Sequence, residues 1–348
     1  MKKITGISLF SGAGGMDIGF ELAGIDVRFQ NEIDKDALLT LQTNAKKNIL
    51  INNSSVISLE KKDFKGVVNN SSGLVVFGGP PCQPFSKNGY WVTNNKRMKD
   101  NDPRNLIDEF FRVVSILKPD GFLLENVESI LHPTNKEAVK RIYELSEKLG
   151  YRYSLYRADA TRFGIPQKRK RIFVFGLRGR GEISLPNTTH GTPDEIQQNS
   201  FLLPIPGVNK FIKKFKSNKF FEEAEVCELG TYYKQLLKIP PGKNYLHLSS
   251  KDPRSTGHDF KTATRFWNFL LKLHPDQPSW TIPAQPGPWV GPFHWDNRRL
   301  RVPEIAAIQT FPEQYKFIGS RRSIQKQIGN AVPAELARIM AACLIKNL

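Results

Sequence analysis

Residue types able to do chemistry concentrate at Gly78-Gly79-Pro80-Pro81-Cys82-Gln83-Pro84-Phe85-Ser86, where a cysteine stands between prolines directly after an apolar run. A thiol in a rigid turn reads as a positioned nucleophile, whereas the packed core thiol that free cysteine more often becomes needs no such setting. The preceding Leu74-Val75-Val76-Phe77 reads as a buried strand, and open α/β sheets bind ligands in the loops that leave their strands' carboxyl ends. Cys82 is therefore expected to face a cleft. Glu125-Asn126-Val127 ends another strand-like run, Gly121-Phe122-Leu123-Leu124, and offers a carboxyl whose bland alternatives are a helix cap or a paired surface acid. Gln167-Lys168-Arg169-Lys170-Arg171 leads into the apolar Ile172-Phe173-Val174-Phe175. Alternation along a strand sends Arg169 and Arg171 to one face and the two lysines to the other.

A third chemistry lies at Ile7-Ser8-Leu9-Phe10-Ser11-Gly12-Ala13-Gly14-Gly15-Met16-Asp17, an apolar strand running through glycines into a helix. Gly12, Gly14 and Gly15 remove side chains where a strand meets a helix N-terminus, so a ligand can approach the backbone. Glu32, at the end of the next strand, is spaced to accept from ribose hydroxyls. A dinucleotide fingerprint requires a further glycine near Asp17, so an NAD oxidoreductase fits poorly and leaves Cys82 unused. These residues alone do not separate S-adenosylmethionine from a dinucleotide.

The elements that must position these groups alternate in the first half of the chain. Strands are expected to begin at Ile4, Asp26, Leu74, Gly121, Tyr153 and Arg171, with helices over Met16 to Ala23, Lys35 to Lys46, Asn105 to Leu117 and Lys136 to Leu149. Gly24 and Gly150 fall where helix C-terminal glycines belong. That order predicts a doubly wound α/β domain. After about Leu185 the pattern gives way to scattered Pro, Gly, Lys and aromatic residues, which predicts a smaller irregular second domain, and Pro333 is placed to begin a closing helix through Lys346.

The chain of 348 residues is 39% hydrophobic, enough for a sizeable core, and its formal charge of +18 points to a polyanionic partner, nucleic acid first. Three cysteines, Cys82, Cys227 and Cys343, show neither metal-ligand nor disulfide spacing and suit a reducing cytoplasm. Met1-Lys2-Lys3 imitates a signal peptide, but Gly12, Gly14, Gly15 and Asp17 interrupt the apolar stretch. No run approaches the roughly 20 apolar residues of a membrane helix.

Together with Gln327-Ile328-Gly329-Asn330-Ala331-Val332-Pro333, the segments above occur in an order that resembles the cytosine-C5 DNA methyltransferase family of bacterial restriction–modification type. The resemblance implies a class I S-adenosylmethionine-dependent methyltransferase (Rossmann-like) domain made of residues 1–184 and 298–348, with a target-recognition domain at 185–297. It implies S-adenosylmethionine as cofactor, S-adenosylhomocysteine as product, and no metal. Phe10, Ser11, Gly12, Gly14, Gly15, Glu32, Ile33, Asp63, Phe64, Pro80, Leu106, Asn330 and Val332 would form its pocket, Phe10 and Phe64 lying by the adenine and Asp63 accepting from its amino group. Catalysis would fall to Cys82 as nucleophile and Glu125 as acid, with Asn126 holding the loop, Gln167 and Arg169 at the site, and Arg171 near cytosine O2.

Residues from about Phe85 to Asp102 would close over a flipped base. Ser86, Thr281 and Arg298 would contact double-stranded DNA. Ser8, Pro303, Ala307 and Ala334 depart from usual family residues. The expected setting is the bacterial cytosol beside DNA, without membrane contact and with a restriction endonuclease as functional partner. A transfer-RNA cytosine methyltransferase and a non-catalytic DNA-binding relative are the rival readings. The four tryptophans Trp267, Trp280, Trp289 and Trp295 of the second region are assigned mainly to its core.

Overall fold

The computed structural model describes residues 3–68, 73–81, 106–251, 255, 257–261 and 266–348. The expected nucleophile Cys82, Ser86 and the loop over Phe85 to Asp102 lie outside the described residues. By density of contacts the chain divides into two units, one of Met1–Asp159, Lys170–Asn187 and Ala334–Leu348, the other of Ala160–Arg169 and Thr188–Pro333. The second unit thus takes residues 160–169 and 298–333, which the sequence reading gave to the first domain.

The first unit is built on seven strands: β1 Ile4–Leu9, β2 Asp26–Asn31, β3 Leu50–Asn52, β4 Gly73–Gly78, β5 Gly121–Val127, β6 Arg152–Asp159 and β7 Lys170–Leu177. They lie in the order β3-β2-β1-β4-β5-β7-β6. The first five are mutually parallel, and β7 inserts antiparallel to both β5 and β6. Every residue of β4 is buried, as expected of a central parallel strand covered on both faces.

Helices α1 Gly15–Leu22, α2 Lys35–Asn44, α3 Leu106–Leu117 and α4 Lys136–Lys148 connect the strands. Asp34 caps α2 by accepting from the Asp36 and Ala37 amides, both at 3.2 Å. In α3 the apolar residues Ile107, Phe110, Phe111, Val113 and Val114 recur at helical spacing and are all buried. Phe122 of β5 receives the rings of Phe110, Phe111 and Tyr151 edge-on, so an aromatic cluster anchors β5 in the core. The closing helix Ala334–Lys346 packs on α1, where a Cβ on Gly19 would meet Ala334 O, Ala337 Cβ and the Arg338 amide at 2.5 Å. Only glycine permits that approach.

The second unit has short helices and two-residue ladders around an aromatic core of Tyr245, Leu248, Leu270 and Phe293, onto which Tyr232, Phe269 and Trp289 pack. It buries charge in satisfied sets. Arg301 reaches Glu225 through two nitrogens and also donates to Phe215 O. The Lys272 ammonium donates to Leu236 O at 2.8 Å and Asn297 Oδ1 at 2.6 Å, with burial holding its pKa down to about 8. Burial, with help from Arg298, pushes the His294 imidazole down to about 3. His294 is therefore neutral, and its Nδ1 accepts from the Asp296 amide at 3.0 Å.

Candidate active site

Four segments lie at the carboxyl ends of β1, β2, β4 and β5. After β1 the chain turns through left-handed backbone at Phe10 (φ 55°), Gly12 (φ 56°) and Gly14 (φ 77°), the last of which begins α1. A phenylalanine in that region is strained, and strain of this kind gathers at sites where geometry is imposed for a ligand. Glu32 fixes the turn from across the cleft. Its Oε2 accepts from the Gly12 amide at 2.7 Å, and its Oε1 accepts from the Ile33 and Asp34 amides at 2.8 Å. A Cβ on Gly12 would meet nothing within 4 Å, and the neighbouring Ile33 side chain is 67% exposed. The turn thus presents bare backbone beside an apolar surface and an acid, a fit for an adenosyl ligand with a charged tail.

Beneath the turn runs a polar chain that the sequence reading passed over. Asp17 of α1 accepts from Gln30 Nε2 of β2 at 2.9 Å, and Ser8 Oγ lies 2.8 Å from Ser11 Oγ. Burial, opposed in part by hydrogen bonds from Gln30 and Ser8, raises the Asp17 carboxyl from 3.8 to about 6. Asp17 had entered the sequence argument as a misfit to a glycine pattern and an interruption of an apolar stretch. Its burial depends on β1 and β2 closing over α1, which the local sequence does not reveal.

Phe64 is packed inside, its ring 4.7 Å from that of Phe29, and Asp63 accepts from the Glu60 amide at 2.7 Å, so both serve their own turn in this structure. Leu106 opens α3 and packs on the core.

Beside the ends of β4 and β5 a carboxyl and a guanidinium come together. The Arg171 Nε of β7 lies 2.8 Å from Glu125 Oε1 of β5, with both side chains largely buried. The antiparallel register, Val127 against Arg171, makes the pair possible. A Cβ on Gly79 would stand 2.5 Å from Glu125 Oε2, so the carboxyl lies directly over the Gly-Pro-Pro backbone that leads to Cys82. Asn126 is buried and donates to Pro80 O at 3.3 Å, and its Oδ1 accepts from the Val127 amide. Burial raises the other two thiols, Cys227 and Cys343, the latter to about 11, which keeps both protonated and unreactive near neutrality.

Residues 167–169 belong to the second unit, where Gln167 and Arg169 tie loop segments together. Both are fully buried. Gln167 Nε2 donates to Gln309 Oε1 at 2.9 Å while its Oε1 accepts from the Ile282 amide at 3.1 Å. Arg169 donates to Gly329 O at 2.8 Å and to Asn330 O at 3.4 Å, and Gln309 donates to Ile328 O at 2.7 Å. These side chains hold the Gly329-Asn330 turn and the Thr281-Ile282 segment, with no nitrogen or oxygen exposed to a substrate. Asn330 itself is exposed at the end of helix Arg321–Asn330, and Val332 is buried.

Arg298, expected at DNA, has a protein partner in this structure. It forks onto the buried Glu304 at 2.8 and 2.7 Å, a bidentate pair that leaves it mostly inside. Thr281 is exposed, its hydroxyl donating to Lys168 O at 2.6 Å. Gln309, whose amide ties two of these segments together, is not singled out by the sequence, in which nothing tells a buried amide from an exposed one.

A sheet with one reversed strand next to its edge, a glycine turn after β1 and an acid after β2 defines a class I, Rossmann-like methyltransferase domain. The same architecture is found in the crystal structure of the S. pombe Dnmt2 methyltransferase, which is 16% identical, with a TM-score of 0.64 and 99% of each chain covered. Residues 4–346 match the C-5 cytosine-specific DNA methylase family. The chain is 35% identical to the Type II methyltransferase M.SacI of Streptomyces achromogenes, covering 98% of this chain and 93% of that one. It is 31% identical to the Type II methyltransferase M1.HphI of Haemophilus parahaemolyticus, covering 99% and 87%. The protein belongs to the C-5 cytosine-specific DNA methylase family and is a DNA (cytosine-5-)-methyltransferase. Membership implies S-adenosylmethionine as methyl donor. Among the described residues no cluster of His, Cys, Asp and Glu could hold a metal ion.

Proposed function

We propose that the protein methylates cytosine within one short duplex sequence by covalent catalysis at Cys82. Cytosine C5 is too weak a nucleophile to take a methyl group unaided. Addition of the Cys82 thiolate to C6 moves electron density to C5 and N3. Glu125 donates a hydrogen bond or proton at N3, and Arg171 holds both that carboxyl and cytosine O2. S-adenosylmethionine, when bound, supplies an electrophilic methyl group to C5. Loss of the C5 proton to a base or water then expels Cys82 and restores the ring.

The observation that carries this reading is the Glu125–Arg171 pair seated over Gly79, three residues before Cys82 in the chain. The cofactor would be held by Phe10, Ser11, Gly12, Gly14, Gly15, Glu32, Ile33, Asp63, Phe64, Pro80 and Leu106, with Asn330 and Val332 completing the set. Glu32 would share its carboxylate between the turn and the ribose. A base inside a duplex is out of reach, so the target must be flipped out. The irregular region at 185–297 would read the sequence, with Ser86 and Thr281 contacting DNA. We assign the enzyme to the bacterial cytosol, paired with a restriction endonuclease that recognises the same site, as the Type II relatives suggest.

The test is methyl transfer from labelled S-adenosylmethionine to mixed-sequence duplex DNA and to transfer RNA, with single-base mapping of 5-methylcytosine. Label at one DNA motif is expected, and Cys82→Ala should abolish it while DNA binding persists. RNA-only product, or turnover surviving in Cys82→Ala, would overturn the reading.

A further inference from the structure

The segment after β3 makes two tight helical turns, Val56–Ser58 and Lys61–Phe64, the second of which carries Asp63. Its apolar side is anchored, because Val56, Leu59 and Phe64 are buried in the core that α3 shares. Arg112 of α3 holds its polar side. The Arg112 Nη1 donates to Leu59 O at 2.7 Å, and its Nη2 donates to Val56 O at 2.6 Å and to Ile57 O at 3.1 Å. The remaining nitrogen, Nε, donates to Glu109 Oε2 at 2.6 Å, so a carboxylate one turn earlier on the helix aims the guanidinium. All three nitrogens thus bond to protein. A planar guanidinium suits these diverging acceptors, whereas the single ammonium of a lysine does not.

The Leu59–Glu60 peptide links this clamp to the cofactor residues. Its carbonyl accepts from Arg112, while its amide, on Glu60, donates to Asp63 Oδ2 at 2.7 Å. One peptide plane is therefore held at both ends. A carbonyl bonded to a cation makes the amide of the same plane a stronger donor, because hydrogen bonds in series polarise one another. Asp63 engages that amide through Oδ2 and stays half-buried, which leaves Oδ1 as the oxygen able to accept from a ligand. Leu106, at the start of the same helix, lies about 9 Å along its axis from Arg112. Helix α3 so carries both a residue of the proposed pocket and the clamp on another.

We propose that Arg112 is a positioning residue for S-adenosylmethionine, fixing the Leu59–Glu60 peptide so that Asp63 keeps Oδ1 open to the adenine amino group. The inference rests on the assignment of Asp63 to the cofactor site made above. A shift of that peptide takes the acceptor away from the amino group and leaves the other contacts of the ligand in place. Arg112 touches no ligand atom and acts through Asp63.

The test measures, by calorimetry on the full chain, affinity for S-adenosylhomocysteine and for S-inosylhomocysteine, in which an oxygen replaces the adenine amino group. Wild type is expected to bind the inosyl compound about tenfold more weakly, the factor for one hydrogen bond to a charged group. Arg112→Lys and Arg112→Met should each weaken S-adenosylhomocysteine by about threefold to tenfold. Both should bind the inosyl compound as wild type does, which also shows them folded. Either change added to Asp63→Ala should cause no further loss. Equal losses on the two compounds, no loss on S-adenosylhomocysteine, or a further loss in the Asp63→Ala background would overturn the inference. Wild type binding both compounds alike would instead remove Asp63 from the cofactor site, and the inference with it, a failure read from wild type alone.

Discussion

At the scale of single residues, the site is a set of side chains whose ordinary properties are altered by a few neighbours. Asp17 shows this most directly. Because its carboxyl is raised to about 6, the folded protein binds a proton that the unfolded chain releases from about pH 4 upward. Stability contributed by this group therefore falls as pH rises from about 4 to about 6 and levels off above that, a swing of about 3 kcal/mol at most. Asp17→Asn removes the titration. The difference in melting temperature between Asp17→Asn and wild type should become more favourable to the variant on going from pH 4.5 to pH 7.5. An unchanged difference between the two pH values would count against a buried, reluctantly ionised carboxyl. Glu125 and Arg171 illustrate the opposite arrangement, in which two charged groups are taken out of water together and depend on each other's presence.

At the scale of elements, glycines decide how closely the pieces approach. Gly19 lets α1 lie against the backbone of the closing helix, so Gly19→Ala must push two helices apart or strain both. A loss of about 1–3 kcal/mol is expected, the usual cost of overpacking, read as a lower midpoint in urea with the slope unchanged. A midpoint equal to that of wild type would mean the helices separate freely. The reversed strand β7 has the larger consequence, because its antiparallel register is what sets Arg171 against the end of β5. In the second unit, Arg169 and Gln309 perform for loops what a ladder does for strands, donating to the backbone carbonyls of Gly329, Asn330 and Ile328.

At the scale of the whole molecule, net charge governs the encounter with substrate. A chain of formal charge +18 that grips a polyanion releases condensed counterions on binding. Affinity for a duplex lacking the target motif should fall steeply between 50 and 200 mM salt, by about a thousandfold if six or more phosphates are neutralised. Fluorescence anisotropy across that range measures the slope. A flat response would show that the basic residues face solvent rather than DNA. The second unit keeps its share of buried charge in closed sets such as Arg301 with Glu225, so its unpaired surface cations remain to meet phosphate.

The sequence by itself determined what is written in local order. Apolar runs, helical periodicity and turn glycines placed the starts of β1, β2, β4, β5, β6 and β7 to within a residue and the four helices nearly as well, because strands and helices announce themselves through neighbours two to four positions apart. The three-residue β3 was too short to announce itself. The positions of Glu125 and the glycine turn were legible for the same reason, each lying at the end of a strand. What the tertiary structure decided was which of several similar side chains reach an open surface. Arg169, Arg171 and Arg298 are indistinguishable as letters, yet one holds a turn, one faces Glu125 and one is locked on Glu304. Four tryptophans in one region were likewise equivalent until packing set Trp289 against the aromatic core and left Trp267 half exposed. Burial is a property of chain segments far apart in sequence closing on one another, and local sequence does not record it.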